Sequence, residues 1–109
     1  KLRPTVDEFA NPDDLALSCG VGGETLQSSR TSDLIFSVPA TVAYLSGVVT
    51  LLPGDIIFTG TPSGVGAARK PARFLAPGEV LESEIEGIGT LRNPCVQAAI
   101  GVPSAVPNS

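Results

Sequence analysis

The residues with the clearest chemical potential lie in one glycine-rich stretch, PGDIIFTGTPSGVG at residues 53–66. Thr59, Thr61 and Ser63 supply hydroxyl groups, and three glycines between and after them let the backbone double back closely. Successive unpaired N–H groups in such a loop form a concavity that binds anions. The stretch therefore predicts a site for a carboxylate or a phosphate.

Several other kinds of site are excluded because the residues that they need are missing. The stretch lacks the GK[ST] ending of a phosphate-binding P-loop, which argues against nucleotide binding. The chain has no His, so these residues hold no Ser-His-Asp triad, Cys-His pair or histidine metal ligand. Cys19 falls on the apolar face of a predicted strand, and we interpret Cys19 and Cys95 as free thiols of a cytosolic protein.

Three carboxylates alternate along a predicted strand over residues 79–88. Glu82, Glu84 and Glu86 are two residues apart, so they share one face of that strand and could together attract a metal ion. The outer face of an amphipathic strand has the same pattern. We favour this second interpretation and assign no metal site to these residues.

A short basic segment follows the glycine-rich stretch. Arg69, Lys70 and Arg73 could steer an acidic substrate towards it, and Lys70 is kept as a candidate for that reason. A solvated loop explains the same charges.

The first half of the chain predicts a β-hairpin followed by a helix. Residues 15–21 alternate apolar and small residues, Gly22-Gly23 is a two-residue hairpin signal, and residues 24–30 form the return strand. Ser37 caps a helix over residues 38–46, and Gly47 ends it. We expect the apolar stripe of this helix, made of Val38, Val42 and Leu45, to lie in the core.

The second half predicts two strands that begin in the same way. LLPGDII at residues 51–57 and LAPGEVL at residues 75–81 each place an acidic residue after a Pro-Gly turn. The unbroken apolar run of residues 56–58 predicts a strand covered on both faces. Residues 87–89 turn the second strand back into residues 90–92.

Composition limits the broad class. A chain of 109 residues forms one domain at most, and 12 Gly with 10 Pro favour a turn-rich β protein. The net charge of −4 gives no electrostatic reason to bind nucleic acid. No apolar run approaches a membrane-spanning length and no signal-peptide pattern opens the chain, so we expect a cytoplasmic protein without membrane contact.

Several motifs occur together in the order of one enzyme family. GGETLQSSRTSDLIFSVPATVAYLS precedes PGDIIFTGTPSGVG, and FLAPGEV and EIEGIGTLRN follow it. Over residues 6–93 the chain resembles the C-terminal half of the catalytic domain of the fumarylacetoacetate hydrolase family. Its version of the glycine-rich stretch is similar to that of bacterial 2-hydroxyhepta-2,4-diene-1,7-dioate isomerases and related decarboxylases.

The resemblance implies an α+β, mostly β fold: the second half of a mixed β-roll with one short helix. It implies a divalent-metal-dependent enzyme of aromatic catabolism that acts on 2-oxo or 1,3-dioxo acids as an isomerase, a decarboxylase or a C–C hydrolase. Mg²⁺ or Mn²⁺ would bind the 2-oxo carboxylate and stabilise the enolate that forms. Similar proteins are dimers, so a homodimer is expected.

The resemblance also assigns candidate substrate-binding residues. In similar enzymes the amide and hydroxyl of the threonine at Thr61 contact a carboxylate or oxo group of the substrate, and Gly60 precedes it in the same loop. Thr59, Gln27 and Lys70 are further candidates.

Gln27 falls with Thr31 and Asp33 in the run QSSRTSDLIF, which resembles a motif of the family. Hydrogen bonding in local turns and caps explains Thr31 and Asp33 nearly as well.

The chain starts at Lys1, and this start limits which residues of the family the resemblance can assign. The metal-binding carboxylates, the catalytic lysine and the acid–base residues of the family belong upstream of it, so no catalytic or metal-binding residue is assigned here. The absence of Met and the start at Lys1 suggest a fragment, and we expect the 109 residues alone to be inactive.

We divide the chain into a connecting segment at residues 1–14, a partial catalytic domain at 15–97 and a disordered tail at 98–109. The alternative to an enzyme part is a non-catalytic β-rich fragment or assembly module that lacks the metal-binding half. The substrate and the type of reaction stay open.

Overall fold

A four-stranded antiparallel sheet and one α-helix form the regular structure of the chain, in a computed structural model that describes residues 5–99. The strands and the helix, in chain order, are β1 Ala16–Val21, β2 Glu24–Arg30, α1 Val38–Ser46, β3 Val80–Ile85 and β4 Gly89–Pro94. Short 3₁₀ turns cover Val6–Glu8, Thr31–Asp33 and Gly66–Ala68. The strand order is β2-β1-β3-β4, so the predicted α+β, mostly β class is confirmed.

The predicted hairpin forms where the sequence placed it. Gly22 and Gly23 connect β1 to β2 with φ angles of 59° and 84°. Two successive positive φ angles define the turn type whose twist matches the flanking strands. The tail predicted to be disordered covers residues 98–109. Its residues from 100 onward lie outside the described part of the chain.

A β-bulge interrupts the ladder between β1 and β2. Cys19 pairs with Gln27, whereas the next residue, Gly20, pairs with Thr25, so Leu26 is the extra residue. A Cβ on Gly20 would lie 2.6 Å from the backbone oxygen of Glu24. The bulge therefore requires glycine opposite it, and Leu26 has no partner residue on β1.

Helix α1 has the predicted bounds but not the predicted packing. The Ser37 hydroxyl accepts a hydrogen bond from the Ala40 amide at 3.2 Å, and Gly47 is the C-cap. The prediction that Val38 and Val42 lie in the core is wrong, because both are exposed. Within residues 5–99 the helix makes no extensive contact with any strand, and Leu45, the third residue of the stripe, is only half-buried.

The two Pro-Gly turns are built alike. In the first, the Asp55 amide donates to the Leu52 carbonyl at 3.1 Å, and its carboxylate accepts from the Leu52 amide at 2.8 Å. In the second, the Glu79 amide donates to the Ala76 carbonyl at 3.2 Å, and its carboxylate accepts from the Ala76 amide at 2.8 Å. The acidic residue after each glycine therefore locks its turn, and this backbone hydrogen bond holds the pKa of Glu79 below its usual value.

Only the second turn leads into a strand. The strand predicted at residues 79–88 is shorter, Val80–Ile85, and Glu86 lies in the following turn. The buried strand predicted at residues 56–58 is wrong: Ile56 is 80% exposed and Phe58 is 94% exposed. No strand among residues 5–99 pairs with this segment, and without a partner an extended segment forms no ladder.

The hydrophobic core is correspondingly small. Among the described residues only Val21 is buried, at 4% exposure, and it ends β1 in the middle of the sheet. The radius of gyration is 17.2 Å, against about 13 Å for a compact domain of roughly this length. Within residues 5–99 no helix has the length and apolar character needed to cross a membrane.

We predict that Gly20→Ala destabilises the sheet. The added methyl group collides with the Glu24 carbonyl, and overpacking of this kind costs about 1–3 kcal/mol. Hydrogen exchange of the β1 and β2 amides measures the loss. Gly47→Ala is the control, because its φ of −77° suits alanine and its nearest new contact is an ordinary 3.4 Å. Equal protection in Gly20→Ala and the parent would contradict the steric role of Gly20.

Candidate functional site

The glycine-rich stretch is held against β2 by an arginine from the segment that follows it. Arg69 donates from Nη2 to the Leu26 carbonyl at 2.8 Å and from Nε to the Gly64 carbonyl at 3.2 Å. Its Nη1 also lies 3.5 Å from the Glu24 carboxylate. The carbonyl of the bulge residue, Leu26, thus becomes the attachment point of the loop.

Gly64 lets the two backbones approach this closely. Its φ is +107°, which side-chain-bearing residues rarely adopt, and a Cβ there would collide with the Leu26 carbonyl. The same Cβ would also lie 3.1 Å from Cγ of Gln27. The loop therefore rests directly on residues 26 and 27 of β2.

Gln27 contacts the loop through its side chain. Its Nε2 donates to the Thr61 hydroxyl at 2.9 Å and to the Pro62 carbonyl at 2.7 Å. Within residues 5–99 the backbone amides of Thr59, Gly60 and Thr61 donate to no protein acceptor. These three amides and the Thr61 hydroxyl are available to an anion.

The loop opens on a groove of about 700 Å³ between the sheet and the segment before α1. Its lining combines the loop backbone with polar groups at the end of β2 and with apolar side chains. The residues that form it include Thr59, Gly60, Thr61, Arg30, Thr31, Asp33, Ile35, Phe36, Phe58 and Ile85.

The structure brings together most of the predicted substrate-binding residues. Thr61, Gly60 and Thr59 line the groove, and Gln27 lies behind them in contact with Thr61. Lys70 lies elsewhere, in a smaller depression of about 410 Å³ formed by residues 69–73. The described contacts do not place Lys70 with the other candidates.

The polar groups at the end of β2 form hydrogen bonds with one another and with nearby groups of the chain. Asp33 accepts from the Ser29 hydroxyl at 2.7 Å and from the Arg30 amide at 2.9 Å, and the Ser29 bond is the main reason that the pKa of Asp33 is lowered. Arg30 Nε donates to Asp14 at 2.6 Å, which lowers the pKa of that carboxyl in the same way. The Thr31 hydroxyl accepts from the Leu15 amide at 2.8 Å.

Sequence reasoning missed Arg30 as a groove residue and Arg69 as the residue that holds the loop. A signal existed for Arg30, because the hairpin register pairs it with Ala16, two residues from Asp14. No sequence signal indicated this role of Arg69, since the Leu26 carbonyl that it contacts lies 43 residues away in the chain.

Two of the three alternating glutamates, Glu82 on β3 and Glu86 in the turn that follows it, are engaged in structural contacts. Glu82 pairs with Arg92 at 2.9 Å, and Glu86 accepts from the Ala16 amide at 2.9 Å. Within the described part of the chain, no three His, Cys, Asp or Glu side chains come together in a way that could hold a metal ion. The donor set present here does not fit a divalent metal site, whereas the loop amides fit an anion.

The fold and the site define a mostly β domain with a glycine-rich loop whose amides are available to an anion, and the comparisons with known proteins give its family. Residues 4–96 match the family described as Fumarylacetoacetate (FAA) hydrolase C-terminal. The chain belongs to the fumarylacetoacetate hydrolase family and corresponds to its C-terminal region.

Three relatives illustrate the match. Oxaloacetate tautomerase Fahd2a, mitochondrial, of Rattus norvegicus is 47% identical over 92 residues, 84% of this chain and 29% of the relative. An HpcE-like protein of Mycobacterium smegmatis has a TM-score of 0.83 at 56% identity, over 86% of this chain and 35% of the other. Maleylpyruvate hydrolase from Sphingobium sp. SYK-6, in complex with manganese(II) ion and pyruvate, has a TM-score of 0.76 at 33% identity, over 88% of this chain and 34% of the other.

The chain spans about a third of the length of these relatives. Isomerases and hydrolases both occur among the matched proteins.

We predict that Asp33→Asn lowers stability at neutral pH more than at acid pH. The folded pKa of Asp33 lies below its unfolded value of about 4, so its bonds stabilise the fold above that pH. The stabilisation disappears as pH falls through the folded pKa. Urea midpoints followed by far-UV circular dichroism should differ between variant and parent at pH 7, and the difference should be smaller at pH 3.

Asp13→Asn is the matched control, because among the described residues the Asp13 carboxylate accepts no hydrogen bond. Its midpoint should follow the parent at both pH values. A difference between Asp33→Asn and the parent that is equally large at pH 3 would mean that the charge of Asp33 is not what stabilises this turn.

Proposed function

We propose that this chain forms the carboxylate-binding part of a divalent-metal-dependent enzyme that acts on 2-oxo acids. The observation that carries the proposal is the loop Thr59–Gly60–Thr61, which lines the groove: within residues 5–99 its amides donate to no protein acceptor, and the Thr61 hydroxyl donates to no protein group. A 2-oxo acid presents acceptor-only oxygens, which such donors bind well. Family membership and a relative crystallised with manganese and pyruvate support this substrate class.

The division of labour follows from which groups this chain offers. The loop donors would hold and orient the substrate carboxylate, and the apolar side chains of Phe36 and Phe58 would contact its other end. A divalent metal would supply Lewis-acid stabilisation of an enolate. Its ligands would come from outside this chain, because residues 5–99 provide no cluster for it.

The type of reaction is proposed as a class, namely the reactions of oxo acids that pass through an enolate. Tautomerisation or isomerisation, decarboxylation and C–C hydrolysis of oxo acids all pass through an enolate, and the same loop would serve each of them. The tautomerase and hydrolase relatives support this class. A role in aromatic catabolism, a cytoplasmic location and a homodimer remain predictions.

A chimera tests the proposed function. Residues of this chain would replace the matched 92 residues of the rat oxaloacetate tautomerase, to which they are 47% identical. We expect the chimera to interconvert keto and enol oxaloacetate with Mg²⁺, and the 109-residue chain alone to show no turnover. Sustained turnover by the chain alone would contradict the proposed division of labour, as would a folded, Mn²⁺-binding chimera without activity.

Thr61→Val in the chimera should lower kcat/KM about 100-fold, since loss of one positioned donor to a developing charge costs about that much. Thr61→Ser retains the hydroxyl and should recover most of the activity. Thr90→Val is the matched control, because Thr90 is exposed on β4 away from the groove. Equal activity of Thr61→Val and Thr90→Val would contradict the role assigned to Thr61.

A second candidate function is a non-catalytic assembly module. The exposed apolar side chains around the groove favour it, because Ile35 is 93% exposed, with Phe36 and Phe58 beside it, and contiguous apolar surface promotes association.

Under this alternative, light scattering should show mass that rises with concentration. The double substitution Ile35→Ser/Phe58→Ser should reduce the association, and Val96→Ser, which is exposed outside the groove, should not. A monomer at all concentrations would count against the assembly module.

A further inference from the structure

We infer that Gln27 is a positioning residue that fixes the Thr61 hydroxyl as a hydrogen-bond donor towards the groove. The inference rests on the proposed function and deepens it. Gln27 was a candidate for direct substrate binding, and the geometry points instead to an action through Thr61.

The orientation of the Gln27 amide follows from its second partner. A backbone carbonyl oxygen can only accept hydrogen bonds, so the Gln27 atom 2.7 Å from the Pro62 oxygen must be the amino group. That group has two hydrogens. One goes to Pro62, and the other goes to the Thr61 hydroxyl at 2.9 Å.

The polarity of Thr61 follows in turn. Its hydroxyl oxygen accepts the bond from Gln27, so its own hydrogen is left to donate elsewhere. Within residues 5–99 this hydroxyl donates to no protein group, and Thr61 lines the groove. A carboxylate or oxo group has only acceptor sites, so this arrangement presents the hydrogen that such a ligand needs.

Gln27 is held firmly enough to impose this polarity. It is half-buried on β2, paired with Cys19, directly after the bulge residue. Gly64 packs beside its Cγ, and Arg69 fixes the adjoining Leu26 and Gly64 carbonyls. Both amino hydrogens are in use, so the Gln27 amino group has none left for a substrate.

A ligand-free measurement tests the hydrogen bond itself. In the ¹⁵N-labelled chain the side-chain amide hydrogens of Gln27 should exchange with solvent more slowly than those of Gln97, which is exposed. Thr61→Val should shift the Gln27 side-chain resonances and leave those of Gln97 unchanged. Equal exchange for the two glutamines would overturn the inference.

A double-mutant cycle tests the role. Pyruvate is titrated into the labelled chain and followed at the amides of residues 59–61. Gln27→Met keeps the length of the side chain but removes the donor, and it should weaken pyruvate binding about tenfold by freeing the hydroxyl to rotate. In a Thr61→Val background the same substitution should have no further effect.

The possible outcomes separate the inference from the proposal on which it rests. If Thr61→Val weakens binding and Gln27→Met does not, or if the two effects add, the positioning role is overturned and the proposed function stands. If neither change affects pyruvate binding, both are contradicted. Gln97→Met should leave binding unchanged, and Gln27→Glu should weaken it more than Gln27→Met, since its carboxylate takes the hydroxyl hydrogen and repels the anion.

Discussion

The attachment of the glycine-rich loop to the bulge in β2 is the contact on which the candidate site depends. Leu26 is the extra residue of the bulge on the edge strand β2, and Arg69 donates to its carbonyl and to that of Gly64 at once. A carbonyl without a partner is costly, and a guanidinium with several donors in a fixed plane can satisfy two carbonyls together. This contact thereby sets where the loop lies.

The charges of the chain are distributed in a way that suits an anion more than a cation. Although acids outnumber bases 11 to 7, several carboxylates accept backbone hydrogen bonds: Asp55 and Glu79 at the two turns, Asp33 after β2, and Glu86 in the turn after β3. In the part of the chain that the structure describes, no three acidic side chains come together to coordinate a metal. The loop amides, by contrast, donate to no protein acceptor within residues 5–99. An acidic protein can thus offer a site for negative charge.

Local signals predicted local structure well. The hairpin glycines, the Ser37 cap and the Pro-Gly turns act through residues that are neighbours in sequence, and each was found as predicted. The strand at residues 56–58 and the core role of Val38 and Val42 were wrong, because burial depends on what covers an apolar run. The groove could be foreseen only through its loop: the hydrogen bond from Gln27 to Thr61 joins residues 34 apart, and no periodicity encodes such a contact.

Helix α1 has nine residues and no extensive contact with the sheet. Isolated helices shorter than about 12–15 residues are marginal in water, so tertiary packing must supply most of the stability of such a helix. Its folding is therefore thermodynamically coupled to whatever surface packs against it, and each increment of binding should appear as gained helicity. Helix content can thus serve as an internal reporter of docking, separate from the sheet, whose strands pair with one another within the chain.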